Sequence, residues 1–207
     1  MNQANPAARR HLRSRDPILA RVIAKVGPCE LKPRRGKSPF NALVHAVVHQ
    51  QLNGTAAQTI LKRVLALYPK TAFPTPDQVL ATPDDALRGA GLSRSKIAAI
   101  KDIAAKTLEG VVPDARKAAR MSDEEIVERL TVIRGVGPWT VEMLLIFTLG
   151  RPDVMPSTDY GVRKGFALVY GKRQLPQPAE LLRHAERWRP HRSAAAWYLW
   201  RALDSAD

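Results

Sequence analysis

The 207 residues are enough for one substantial core or for two small lobes. Lys and Arg number 33 against 19 Asp and Glu, and the formal net charge of +14 calls for a polyanionic partner, nucleic acid ahead of an anionic membrane. No apolar run approaches the ~20 residues that would span a bilayer, and the single cysteine, Cys29, excludes an intrachain disulfide and any four-cysteine zinc or iron–sulfur site.

The start, MNQANPAARRHLRSR, is rich in arginine but has neither the apolar stretch nor the cleavage site of a secretory signal, so intracellular residence, cytoplasmic or on the nucleoid, is the default. Residues 1–15 read as a disordered basic tail, with DNA contact as the alternative. Asp16-Pro17 caps and opens a helix through about Val26, after which Gly27-Pro28 and the basic segment 32–37 form a loop. Ser38-Pro39 starts the next helix, whose Phe40, Leu43, Val44, Val47 and Val48 supply an inward face, and Asn53-Gly54 interrupts it before another. Thr75-Pro76-Asp77 and Thr82-Pro83-Asp84 each place a cap, a first-turn proline and an acid in order, predicting short helices near 76–81 and 83–89. Ser93 caps a long amphipathic helix with Ile97, Ile100, Ile103 and Leu108 inward, and Ser122 with Glu125 makes a capping box for the one after it. Three further helices are predicted near 159–170, 178–188 and 192–204. No segment alternates as a strand does, so the fold class is all-α. No heptad seam is left over for self-association, which makes a monomer the default.

Residues 130–140, LTVIRGVGPWT, are a tight connection. One helical pattern ends near Ile133 and another starts at Pro138, whose fixed φ suits a first helical turn. Gly135 and Gly137 can take positive φ and carry no Cβ, so the amides around Val136 can point outward and approach another backbone closely. With the positive end of the following helix they make a place for a phosphate. An ordinary helix-to-helix turn uses glycine in the same way, and G-x-G alone leaves both readings open. About one helix downstream, RPDVMPSTDYGVR sets Asp159 at the mouth of a further helix, where it reads first as an N-cap and second as a loop carboxylate available for chemistry. Asp153 reads as a turn residue, and Trp188 and Trp197 as core. His45 and His49 lie one helical turn apart without a third ligand in zincin order, so they face a cleft or the core rather than hold a catalytic metal. Lys96 and Arg94, near the Gly91 turn, serve either as phosphate contacts or as a solvated basic face.

GVGPWT, then PSTDY, then RWRPHRS, in that order and spacing, resemble the helix-hairpin-helix DNA glycosylase superfamily, and within it the DNA-3-methyladenine glycosylase II branch, over most of residues 16–204. The resemblance implies two interleaved helical lobes over residues 16–207 with a lesion pocket in the cleft between them. It implies that Gly135, Val136 and Gly137 bind a DNA phosphate through main-chain N–H groups. The carbonyls of Thr131, Ile133 and Val136 could then hold a structural sodium or potassium ion, with no cofactor otherwise required. Asp159 matches the family's catalytic aspartate, and Trp139, Met143, Tyr160 and Trp200 fall near positions that line the base pocket. HQQLN, residues 49–53, corresponds to the loop that inserts a wedge into the duplex, with Gln51 as the wedge.

Bifunctional members of the superfamily carry a lysine just after the hairpin, where this chain has Trp139, which cannot form a Schiff base. The expectation is a monofunctional enzyme that takes purines of the 3-methyladenine or 7-methylguanine type out of double-stranded DNA and leaves an abasic site. Alkylation at a ring nitrogen makes the base cationic and a good leaving group, so an aromatic face and one carboxylate suffice. Two rival readings follow from the same motifs. One is a non-catalytic hairpin protein that recognises DNA structure; the other is a glycosylase for deaminated or oxidised purines, which would need hydrogen-bonding groups aimed at a neutral base.

Overall fold

A computed structural model describes residues 6–33, 38–52 and 54–204. The chain divides into two compact units, Met1–Arg34 with Leu145–Asp207, and Arg35–Leu144. The first begins with α1 (Pro6–Arg15) and α2 (Pro17–Val26). The second holds α3 (Pro39–His49), α4 (Gly54–Ala66), α5 (Pro76–Ala81), α6 (Asp84–Gly89), α7 (Arg94–Leu108), α8 (Ala115–Arg120), α9 (Asp123–Thr131) and α10 (Pro138–Leu144). The chain then re-enters the first unit through a π-helical turn, Leu145–Leu149, followed by α11 (Tyr160–Val169), α12 (Pro178–Ala185), a 3₁₀ turn at Glu186–Trp188 and α13 (Arg192–Asp204). Among the described residues there is no strand, and no helix is long and apolar enough to cross a membrane.

Residues 6–15 correct one expectation. They form α1 rather than a disordered tail, because Ala8 and Leu12, four residues apart on one helical face, are buried in the first unit. The arginines conceal a narrow apolar stripe that packing, not propensity, stabilises. Residues 1–5, the basic stretch 34–37 and Asn53 lie outside the described residues.

Asp16 ties the first unit together. Its Oδ1 caps α2 by accepting from the N–H groups of Ile18 (3.1 Å) and Leu19 (3.0 Å). Its Oδ2 accepts from Tyr170 Oη (2.6 Å), Trp188 Nε1 (3.0 Å) and His184 Nε2 (3.1 Å); because a carboxylate only accepts, the imidazole donates through Nε2. Burial works to raise the Asp16 pKa, but the bonds from His184, Leu19, Tyr170 and Trp188 more than offset it and hold the carboxyl well below the usual range. A second device is glycine. A Cβ at Gly165 would lie 2.2 Å from the Leu199 carbonyl oxygen, so α11 and α13 meet at backbone distance only because residue 165 has no side chain.

In the second unit, α3 buries Phe40, Leu43, Val44, Val47 and Val48 as its pattern predicts, and α7 buries Ile97, Ile100 and Ile103. Leu108, predicted to face inward, is 54% exposed, because it is the last residue of α7 and the chain turns away at Gly110. The caps at Ser93 and Thr75 and the capping box of Ser122 with Glu125 form as read. α8 is not among the predicted helices; Asp114 caps it, its Oδ1 accepting from Lys117 N at 2.8 Å.

Candidate functional site

Asp159 is the N-cap of α11, with its Oδ1 accepting from Val162 N at 2.8 Å. The same oxygen accepts from Trp200 Nε1 at 2.9 Å, so a helix start and an indole of α13 fix one carboxylate together. Cap and reactive carboxylate are therefore compatible uses of the same group. Gly161 allows the arrangement, since a Cβ there would sit 2.9 Å from Trp200 Cδ1 and 3.2 Å from Asp159 Oδ1. Phe147, from the π-helical turn, stacks on the Trp200 ring with centroids 5.6 Å apart at 29°. Tyr160 follows Asp159 and is 64% exposed.

Asp153 is structural, through partners the sequence did not indicate. Arg192 grips it with Nε to Oδ1 at 2.8 Å and Nη2 to Oδ2 at 3.1 Å, and Arg189 Nη1 adds a 3.0 Å bond to Oδ2. Trp188 is core, as expected. Trp197 is half-buried rather than core, with the Arg201 guanidinium 5.8 Å from its ring centre. His45 and His49 stack 4.2 Å apart, and His49 binds the His45 carbonyl through Nδ1 at 2.8 Å.

In the other unit, α9 ends at Thr131 and α10 starts at Pro138, leaving a six-residue hairpin turn, 132–137. The two glycines differ. Gly135 has φ +74°, and a Cβ there would lie 2.7 Å from Ala99 Cβ, so the fold itself requires glycine. Gly137 has no positive φ and a Cβ would meet nothing within 4 Å, so the chain's own packing makes no such demand. The Val136 amide corrects the expectation placed on it: its side chain is buried and its N–H already donates to the Ile133 carbonyl at 3.1 Å. The N–H groups of Gly135 and Gly137 make no hydrogen bond to any described residue. Asp102 Oδ2 accepts the Arg134 N–H at 2.7 Å and braces the start of the turn.

The loop after α3 carries Gln51 with φ +56°, the one non-glycine residue with positive φ among those described. Its neighbour Gln50 donates from Nε2 to the Gly135 carbonyl (2.9 Å) and to Thr140 Oγ1 (3.0 Å). Lys96 was expected on a phosphate or a solvated face. Its ammonium instead donates to the carbonyls of Val48 (2.7 Å) and Gln50 (2.9 Å), and burial holds its pKa below the ordinary lysine value.

Of the expected site residues, Asp159, Tyr160 and Trp200 belong to the first unit. Trp139, Met143, Gln51, Lys96 and the hairpin belong to the second. Sequence reasoning missed Phe147, Gly161, Gln50 and Asp102. Only Gly161 left a legible signal, its four-residue spacing from Gly165 on one helical face.

The family model described as HhH-GPD superfamily base excision DNA repair protein matches residues 44–190. DNA-3-methyladenine glycosylase 1 of Schizosaccharomyces pombe is 40% identical over 200 residues, covering 95% of this chain and 87% of the relative. An alkylbase DNA glycosidase-like protein of the same yeast is 34% identical over 194 residues, with coverage of 93% and 91%. Among solved structures, a Schizosaccharomyces pombe 3-methyladenine DNA glycosylase in complex with abasic DNA aligns at a TM-score of 0.89 and 40% identity, covering 94% of this chain and 95% of that one. A DNA-3-methyladenine glycosidase from Bacillus halodurans aligns at 0.82 and 32% identity, covering 100% and 93%.

Proposed function

Because this chain belongs to the HhH-GPD superfamily of base excision DNA repair proteins, we propose that it is a monofunctional DNA glycosylase that releases alkylated purines from double-stranded DNA. The observation that carries the reading is the Asp159 carboxylate, fixed on one oxygen by the start of α11 and by Trp200 Nε1. A base inside a duplex is out of reach, so the enzyme flips the nucleotide at a cost of a few kcal/mol, less for a damaged pair. Alkylation makes the purine cationic, and an aromatic face attracts it by ~0.5–2 kcal/mol. As the glycosidic bond breaks, positive charge grows on the sugar, and Asp159 stabilises it; the same carboxylate orients the attacking water or takes its proton. Trp200, stacked on Phe147, and Tyr160 beside Asp159 offer the aromatic faces for the base in this reading.

The open amides of Gly135 and Gly137, not that of Val136, grip the phosphate. Gln51, lifted into a strained conformation at the tip of its loop, is the wedge that fills the vacated stack. A structural sodium or potassium ion on the carbonyls of Thr131, Ile133 and Val136 fits the negative end of α9, and the Ile133 oxygen keeps a lone pair beyond its bond to Val136 N–H. Such an ion would neutralise the carbonyls beneath the hairpin. With Trp139 where a Schiff base would need a lysine, the product is an abasic site in an unbroken strand. The protein acts as a monomer.

The test is a panel of duplexes carrying 7-methylguanine, 3-methyladenine, hypoxanthine or 8-oxoguanine. Release of the two alkylated bases, with strand nicking only after alkali, supports the proposal. Release of neutral lesions alone contradicts it, and nicking before alkali contradicts the monofunctional assignment.

A further inference from the structure

Gln51 sits in the left-handed region, which costs a residue with a Cβ about 1 kcal/mol or more unless neighbouring contacts impose it. The contacts that impose it fall on Gln50 and on α7. Lys96 Nζ holds the carbonyls of Val48 and Gln50, the last turn of α3 and the residue just before Gln51. The Gln50 amide reaches the other way, to the Gly135 carbonyl and Thr140 Oγ1, so the loop is bonded to the hairpin. The same helix that supplies Lys96 also sets the hairpin. Three residues on, Ala99 packs against Gly135 where no Cβ would fit, and three further, Asp102 accepts the Arg134 N–H. Positions 96, 99 and 102 lie along one face of α7. One rigid helix thus carries both the loop tip and the phosphate-gripping turn.

We infer that Gln50 and Lys96 are positioning residues that hold the Gln51 loop in its strained form and in fixed register with the hairpin, so that gripping the phosphate also presents Gln51 to the base stack. The inference rests on the reading of Gln51 as the wedge. Neither side chain needs to touch DNA for this role, and Lys96 has two of its three N–H groups committed to main-chain carbonyls. A loop left to sample its relaxed conformations would meet the duplex with Gln51 misplaced, and an error of ~1 Å in a reacting constellation costs on the order of a hundredfold in rate.

A double-mutant cycle tests it. Gln50→Leu and Lys96→Met are each made alone and in a Gln51→Ala background, with melting curves to confirm folding and Lys96→Arg as a conservative control. The readouts are the affinity for undamaged duplex, flipping reported by 2-aminopurine beside a 7-methylguanine, and the single-turnover rate of base release. The expected result is that Gln50→Leu slows flipping and release by about tenfold or more, while affinity for undamaged duplex stays within about twofold. In the Gln51→Ala background the same change should add less than about twofold, because the residue it positions is gone. Parental flipping and release in both Gln50→Leu and Lys96→Met overturns the inference while leaving Gln51 as the wedge, provided Gln51→Ala itself is slow. Full additivity with Gln51→Ala overturns it too. A parental rate in Gln51→Ala removes the wedge reading, and this inference with it. If Lys96→Met does not fold, the Gln50→Leu cycle decides alone.

Discussion

At position 161 the absence of a side chain is what lets Trp200 reach Asp159. A methyl group there would press to within 2.9 Å of the indole, and the ring would have to tilt away from the carboxylate it holds. Gly161→Ala should therefore slow base release by ~10–100-fold through misplacement of Asp159 and Trp200, with little change in affinity for undamaged duplex. Trp200→Phe separates the ring from its donor. It keeps an aromatic face but loses the Nε1 bond to Asp159. A hydrogen bond to a charged group contributes about 1.5–3 kcal/mol, so release should fall roughly tenfold or more if that bond holds the catalytic geometry. Parental rates in both variants, measured in single turnover, would mean that the orientation of Asp159 does not depend on its indole partner.

At the scale of elements, glycine separates packing from recognition. Gly165→Ala drives a Cβ into the Leu199 carbonyl, and backbone cannot swing aside as a side chain does, so α11 and α13 must part at a cost of about 1–3 kcal/mol or more. Gly137→Ala meets open space and should leave the melting temperature within a degree or two of the parent, while weakening binding to every duplex sequence alike. Thermal melts of both variants beside a filter-binding or anisotropy assay check the contrast. Most elements were legible from caps and periodicity, because Asp16-Pro17, Ser38-Pro39, Thr75-Pro76, Ser93 and Ser122 each carry their signal within four residues. α1 was not, since four arginines among ten residues hide the Ala8 and Leu12 stripe that only tertiary contact makes helical. Asp159 was legible as a cap from PSTDY alone. Its bond to Trp200, 41 residues away, was not, because contacts of that kind leave no local pattern.

For the molecule as a whole, charge and one buried carboxylate set the response to solution conditions. A net charge of +14 predicts that duplex affinity falls steeply and linearly on a log–log plot against salt, as counterions are released from the phosphates. Asp16 sets a pH response. Its folded pKa lies below the usual carboxylate range, so its contribution to stability is complete above the unfolded value near 3.9 and is lost as pH falls from about 4 through the folded value. Asp16→Asn should be less stable than the parent by roughly 3 kcal/mol near neutrality, as expected when one partner of a buried polar cluster is removed, and the gap should narrow below pH ~4. Urea melts at pH 7 and pH 3 measure the gap before the loss begins and part-way through it. Asp16 also shows where sequence reading stops: as the cap of α2 it was evident, whereas Tyr170, His184 and Trp188 converge on it from more than 150 residues away.

In the proposed function Asp159 performs the chemistry rather than merely capping α11. The direct measurement is single-turnover release of 7-methylguanine from duplex DNA by Asp159→Asn, with duplex affinity and melting temperature recorded on the same preparations. Asparagine can still accept from Val162 N and Trp200 Nε1, so the cap survives the change while the charge does not. The predicted result is release slowed by a factor of about a hundred or more, with binding and stability close to the parent's. Release at the parental rate would contradict a catalytic role and leave Asp159 as a helix cap alone.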